Sequence, residues 1–276
     1  MRHMFPVLPL LLLLSLAGCG TVERPSRTVS TTLASADTDL RLARSALEGG
    51  DAAMAASLFG RVLNNDPESV PARLGLADSL YLSNELEQAR QAYQRLLASR
   101  QELRAATLGL ARIDIRQRKP ESAIVHYEAL LAKEPGDTLA MAGLGVAYDL
   151  LGQHARAQAV YRKGLEMHPA DLGLRNNLGL SLVLSNQPRA GANVLLDLAD
   201  VPSAPPQSRQ NLALAYGLLG NDDAAERVLT ADLPDSLAAH RDVPLALLFG
   251  SRSALAFLAM ASFWLATAWS AAPGGL

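Results

Sequence analysis

Between Leu144 and Pro169 the chain sets Leu144-Gly145, Gly152, Ala157, Tyr161 and Pro169 at the intervals that a pair of antiparallel helices requires. Gly145 is a small residue on a first helix and Ala157, twelve positions on, is a small residue on a second, so the two backbones can cross closely. Tyr161 fills the space beside the crossing, Gly152 suits the left-handed residue that ends a helix, and Pro169 closes the unit. The frame recurs every 34 residues: Leu42-Ala43, Leu76-Ala77, Leu110-Ala111, Leu178-Gly179 and Leu212-Ala213 repeat the first pair, and Ala55, Ala89, Ala123, Gly191 and Ala225 repeat the second small residue. Phe59, Tyr93, Tyr127, Leu195 and Leu229 repeat the ring position, and Pro67 and Pro135 close two further units. The fold expected is all-α, a solenoid of six helix-turn-helix units over 36–69, 70–103, 104–137, 138–171, 172–205 and 206–239.

Between the helices of each unit stand Gly50, Asn84, Arg118, Gly152, Asn186 and Gly220. Five of these tolerate the left-handed conformation. Arg118 is the exception and is followed by Lys119-Pro120; Pro120 and Pro188 suit the first turn of a second helix, where a missing N–H costs little. One unit cannot cover its own apolar face, so stability comes from stacking neighbours. These residues and this period resemble the tetratricopeptide (TPR) repeat family, which implies a superhelical array with the first helices lining a groove for protein partners. Arg112, Arg116, Asp149, Asn176, Asn177, Gln210 and Asn211, with Arg44 and Asp78, are the polar residues that the resemblance places there, alternating with Leu74, Leu108, Val146, Leu180 and Leu214. Amides suit peptide backbone and aliphatics suit apolar side chains.

The N-terminus carries a second signal. Arg2 and His3 precede an apolar run from Met4 to Leu14, and Leu16, Ala17, Gly18 and Cys19 follow. This resembles a bacterial lipoprotein signal peptide over 1–18 with its lipobox, and Cys19, the one cysteine of the chain, is the expected lipidation site. Gly20 stands where such lipoproteins commonly carry an Asp that retains them at the inner membrane, which favours the periplasmic face of the outer membrane. Residues 19–35, rich in Ser, Thr, Arg and Pro, read as a flexible tether.

Sequence motifs for chemistry are few. The histidines show no metal-ligand spacing, Gly143-Leu144-Gly145 lacks the third glycine and the preceding strand of a dinucleotide loop, and no nucleophile elbow or phosphate-binding loop occurs. The expectation is no enzyme, no metal, no cofactor and no small-molecule substrate. Lys and Arg total 25 against 27 Asp and Glu, interspersed along the helices, which argues against nucleic acid.

The C-terminal tail, 240–276, holds an uncharged stretch from Ala254 to Ala272 with Phe257, Phe263, Trp264 and Trp269. Three readings of the segment 245–272 stand open: a hydrophobic helix in a membrane, a cap on the last repeat, and a frame-shifted end. Ser208 to Leu218, followed by Ala224-Ala225-Glu226-Arg227 and Asp232-Leu233, resembles the last repeat of the TadD family, TPR lipoproteins of the Flp or tight-adherence (Tad) type IVb pilus machinery. That resemblance implies a non-enzymatic assembly scaffold of pilotin type whose partners are the secretin or other Tad components, held to the membrane by its lipid anchor. A general periplasmic adaptor that tethers peptidoglycan or other envelope enzymes is the alternative.

Overall fold

The computed structural model describes residues 27–230 apart from Glu102, with side chains from Asp37 on. The expected signal peptide, the expected lipobox with Cys19, and residues 231–276 lie outside the described residues. Twelve α-helices follow one another: α1 Arg27–Glu48, α2 Ala52–Asn65, α3 Val70–Leu82, α4 Leu86–Ala98, α5 Leu103–Arg116, α6 Pro120–Lys133, α7 Thr138–Leu150, α8 His154–Met167, α9 Leu172–Leu184, α10 Pro188–Ala199, α11 Gln207–Leu218 and α12 Asp222–Thr230. Each helix packs on the next, and each odd-numbered helix also touches the odd-numbered helix of the following repeat. The odd helices therefore line the inner face of the array.

Local chemistry sets the helix ends. Asp51, Asp137 and Asp171 cap α2, α7 and α9 by accepting from the backbone N–H of Met54, Ala140 and Leu174. Pro71, Pro120 and Pro188 occupy first-turn positions of α3, α6 and α10. The five expected residues stand in the left-handed region, and so, against expectation, does Arg118, at φ 57°. The backbone compensates there: Lys119 N–H bonds to the Asp114 carbonyl at 2.8 Å and Arg118 N–H to that of Ile115 at 3.0 Å, the double bond of a Schellman end. Repeat two, with Gln101 where others have proline, ends by the same device, through Arg100 at φ 56° and a 3.0 Å bond from Gln101 N–H to the Leu96 carbonyl.

The structure departs from expectation at the tether. α1 begins at Arg27, so 27–35 is helical rather than flexible. The reason lies in the spacing of Val29, Leu33, Ala36, Leu40, Ala43 and Leu47, steps of three and four that continue one helical stripe upstream of the first repeat.

The repeat alanines Ala43, Ala55, Ala77, Ala89, Ala111, Ala123 and Ala157 are each wholly buried. Phe59, Tyr93, Tyr161 and Leu195, from the ring position, are at most 1% exposed. The first three rings reach across the repeat boundary: a Cβ on Gly75, Gly109 or Gly143 would lie 2.2, 2.3 or 2.1 Å from the ring of Phe59, Tyr93 or Tyr127. Gly143 is thus a packing residue, consistent with its failure as a dinucleotide motif.

Candidate partner-binding face

The inner face divides into two polar constellations. In repeats two and three, Tyr81 at the end of α3 carries two guanidinium groups over its ring, Arg116 at 4.7 Å and Arg112 at 5.3 Å from the centroid. Arg116 Nη1 also donates to the Tyr81 carbonyl at 2.7 Å. Asp78 lies one helical turn before Tyr81, accepts from the Tyr93 hydroxyl at 2.5 Å, and meets Arg112 Nη2 at 3.5 Å. Burial pushes the Asp78 carboxyl above its ordinary range, opposed by the charge of Arg112 and the bond from Tyr93.

In repeats four to six the centre is Asp149, 7% exposed, near the end of α7. Its Oδ1 accepts from Ser181 Oγ at 2.7 Å and pairs with His154 Nδ1 at 2.8 Å, and its Oδ2 accepts from the Tyr161 hydroxyl at 3.1 Å. Burial raises this carboxyl as well, opposed first by His154 and Ser181. Serine and histidine both bond to the aspartate rather than to each other, so the imidazole is not set to take the serine proton. The chemistry built here is cross-repeat bonding, since Ser181 belongs to α9.

Asn211 Nδ2 donates to Asn176 Oδ1 at 3.0 Å, and Asn176 Nδ2 to Asn177 Oδ1 at 3.3 Å. Asn211 is wholly buried and Asn176 is 2% exposed, so these two amides are spent on the junction between α9 and α11. Asn177 is half-buried, while Gln210 and Arg44 are exposed. Of the aliphatics expected along the groove, Leu108, Val146, Leu180 and Leu214 are buried and Leu74 is half-buried; they face the helices behind them. Exposed instead, at the ends of the odd helices α7, α9 and α11, are Leu150, Leu184 and Leu218, at 39%, 37% and 54%. Sequence reasoning missed these leucines, as well as Tyr81, although all three leucines share the 34-residue register.

Two tetratricopeptide-repeat family models match the chain, over residues 46–113 and 108–171. No curated protein matches it. Among solved structures, the chain is similar to a tetratricopeptide repeat protein from Parabacteroides merdae ATCC 43184, at 17% identity over 83% of this chain and 98% of that one, with a TM-score of 0.59. It is similar to PilW, a widely conserved type IV pilus biogenesis factor, at 18% identity over 75% of this chain and 98% of that one, TM-score 0.61. It is also similar to pilF of Pseudomonas aeruginosa, at 18% identity over 82% of this chain and 97% of that one, TM-score 0.57. At such identities the likeness is one of fold. Residues 46–171 are tetratricopeptide repeats, and the described residues as a whole form a tetratricopeptide solenoid.

Proposed function

We propose that this chain is a lipid-anchored, non-enzymatic scaffold on the periplasmic face of the outer membrane that serves Flp/Tad pilus assembly, supporting the localisation or assembly of the secretin through its inner face. The observation that carries the reading is the union of a lipobox ending at Cys19 with a repeat array whose last unit, Ser208 to Arg227, resembles that of TadD lipoproteins. The similarity in fold to PilW, a type IV pilus biogenesis factor, supports a pilus context. An array that spends its polar side chains on its own junctions, as Asp149, Asn176 and Asn211 do, suits a rigid platform better than a catalyst.

The test replaces Cys19 by Ser and follows secretin multimers in outer-membrane fractions. Loss or relocation of the multimers is the expected result. Unchanged multimer level and location would sink the pilotin reading and turn attention to a general envelope adaptor, whose genes would lack a neighbouring secretin, secretion ATPase and small prepilin.

A further inference from the structure

Leu150, Leu184 and Leu218 are the last residues of α7, α9 and α11. Each is more than a third exposed, and Leu219 beside the last is 39% exposed. Because α7, α9 and α11 pack side by side in one register, the three leucines stand at the same position of neighbouring helices and form an apolar stripe across repeats four to six. The equivalent residues of repeats one to three are Glu48, Leu82 and Arg116, so the stripe ends where the charged half begins. It carries no free charge of its own: Asp149, next to Leu150, is buried under three hydrogen bonds.

We propose that the occupant of this stripe is the chain's own segment Ala254–Ala272, which docks along Leu150, Leu184 and Leu218. The segment is uncharged throughout and rich in large apolar side chains, among them Phe257, Phe263, Trp264 and Trp269, which matches the uncharged stripe and not the Arg112–Arg116 half. It lies beyond α12 in sequence, separated from it by residues 231–253, and α12 packs on α11, the helix that carries Leu218. Residues 231–253 can extend to roughly 75–80 Å, whereas three helices packed side by side place the ends of the stripe only about 20 Å apart. Tethering of this kind gives an effective concentration on the order of millimolar, which favours the chain's own segment over a second copy at ordinary protein concentrations. The inference does not depend on which partner the array serves.

The two tryptophans of the chain, Trp264 and Trp269, both lie in the segment, so intrinsic tryptophan emission reports on it alone. The experiment compares the full-length chain with a Leu150→Gln, Leu184→Gln, Leu218→Gln variant, reading emission maximum and acrylamide quenching at several protein concentrations, with and without phospholipid vesicles. Far-UV circular dichroism checks that the variant folds, as substitution of three exposed side chains permits. The expected result is blue-shifted, protected tryptophans in the wild type without vesicles at every concentration, and a red shift with stronger quenching in the variant. Tryptophans that are already exposed in the wild type overturn the proposal, as do tryptophans equally protected in both proteins. Protection that vanishes on dilution assigns the stripe to a second copy, and protection that appears only with vesicles assigns the segment to the membrane; either result overturns docking in cis.

Discussion

The first three repeat junctions and the last two hold the same fold by different means. At the first three, Phe59, Tyr93 and Tyr127 press on Gly75, Gly109 and Gly143 of the next repeat, so neighbouring units interlock by shape. At the fourth and fifth, Asn177 and Asn211 replace that glycine. Tyr161 and Leu195 then turn onto Gly145 and Gly179 of their own repeats, and the boundary is crossed by hydrogen bonds, Ser181 to Asp149 and Asn211 to Asn176. One register thus carries two kinds of joint. The first three have ring-on-glycine contact, and ionic pairs such as Arg112 with Asp78 and Arg90 with Asp114 also cross the second boundary. The last two have buried hydrogen bonds without that contact, which specify which unit meets which.

Substitution of glycine breaks this comparison most directly. In Gly143→Ala the new Cβ falls 2.1 Å from the Tyr127 ring, a rigid group that is 3% exposed. Overpacking of this kind costs about 1–3 kcal/mol, against about 0.5–1 kcal/mol that alanine gains over glycine in a helix. A net loss of about 1–2 kcal/mol is expected in urea unfolding. Gly179→Ala meets Leu195 at 2.5 Å, an aliphatic chain with other rotamers open to it, and a net loss under about 1 kcal/mol follows from the same two principles. Equal losses at the two sites would erase the distinction between the joints.

A loss of about 1–2 kcal/mol is expected for Asn211→Ala, because Asn176 Oδ1 would remain buried without its donor. Asn211 Oδ1 has no partner of its own, so its removal relieves part of that cost. The double variant Asn176→Ala, Asn211→Ala should cost clearly less than the sum of the singles. Strict additivity would mean that the amide pair contributes nothing to the junction.

Acid titration is where the two halves should behave alike. The Asp78 and Asp149 carboxyls are both raised by burial. The folded chain therefore holds protons that the unfolded chain has already released at about pH 4, so their contribution to stability is fully present below the ordinary carboxyl range and is lost as pH rises through the raised folded values. Each of Asp78→Asn and Asp149→Asn should flatten the fall of the urea midpoint from pH 4 to pH 6.5. Flattening by only one of them would restrict the buried carboxylate to one joint.

The register, the number of units, the helix pairs and the turn residues other than Arg118 could be read from the spacing of Leu-Ala pairs, because covalent period and packing period coincide in a solenoid. Which polar residue reaches the groove could not. Asn176 and Gln210 hold the same repeat position, yet one is closed in by α11 and the other, in the last full first helix, is exposed. Burial at such a position depends on the next repeat, not on the residue. Gly75, Gly109 and Gly143 stand 34 residues apart, and only the position of the preceding ring gives that series its meaning. The helical start of α1 was hidden by a Ser- and Thr-rich composition that masks a regular apolar stripe.

The smallest effect belongs to a turn in the first half. Arg118 holds φ 57° where Gly50, Gly152 and Gly220 hold 82°, 70° and 73°. A residue with a Cβ loses roughly 1–2 kcal/mol in that region, partly offset in comparison with glycine by the greater freedom glycine surrenders on folding. Arg118→Gly should therefore stabilise the array by about 0.5–1 kcal/mol, seen as a higher urea midpoint with unchanged slope. Asn84→Gly, at φ 63°, should change little, because asparagine already tolerates the left-handed region. If Arg118→Gly destabilises instead, the contacts of the guanidinium contribute more to the fold than its backbone strain removes.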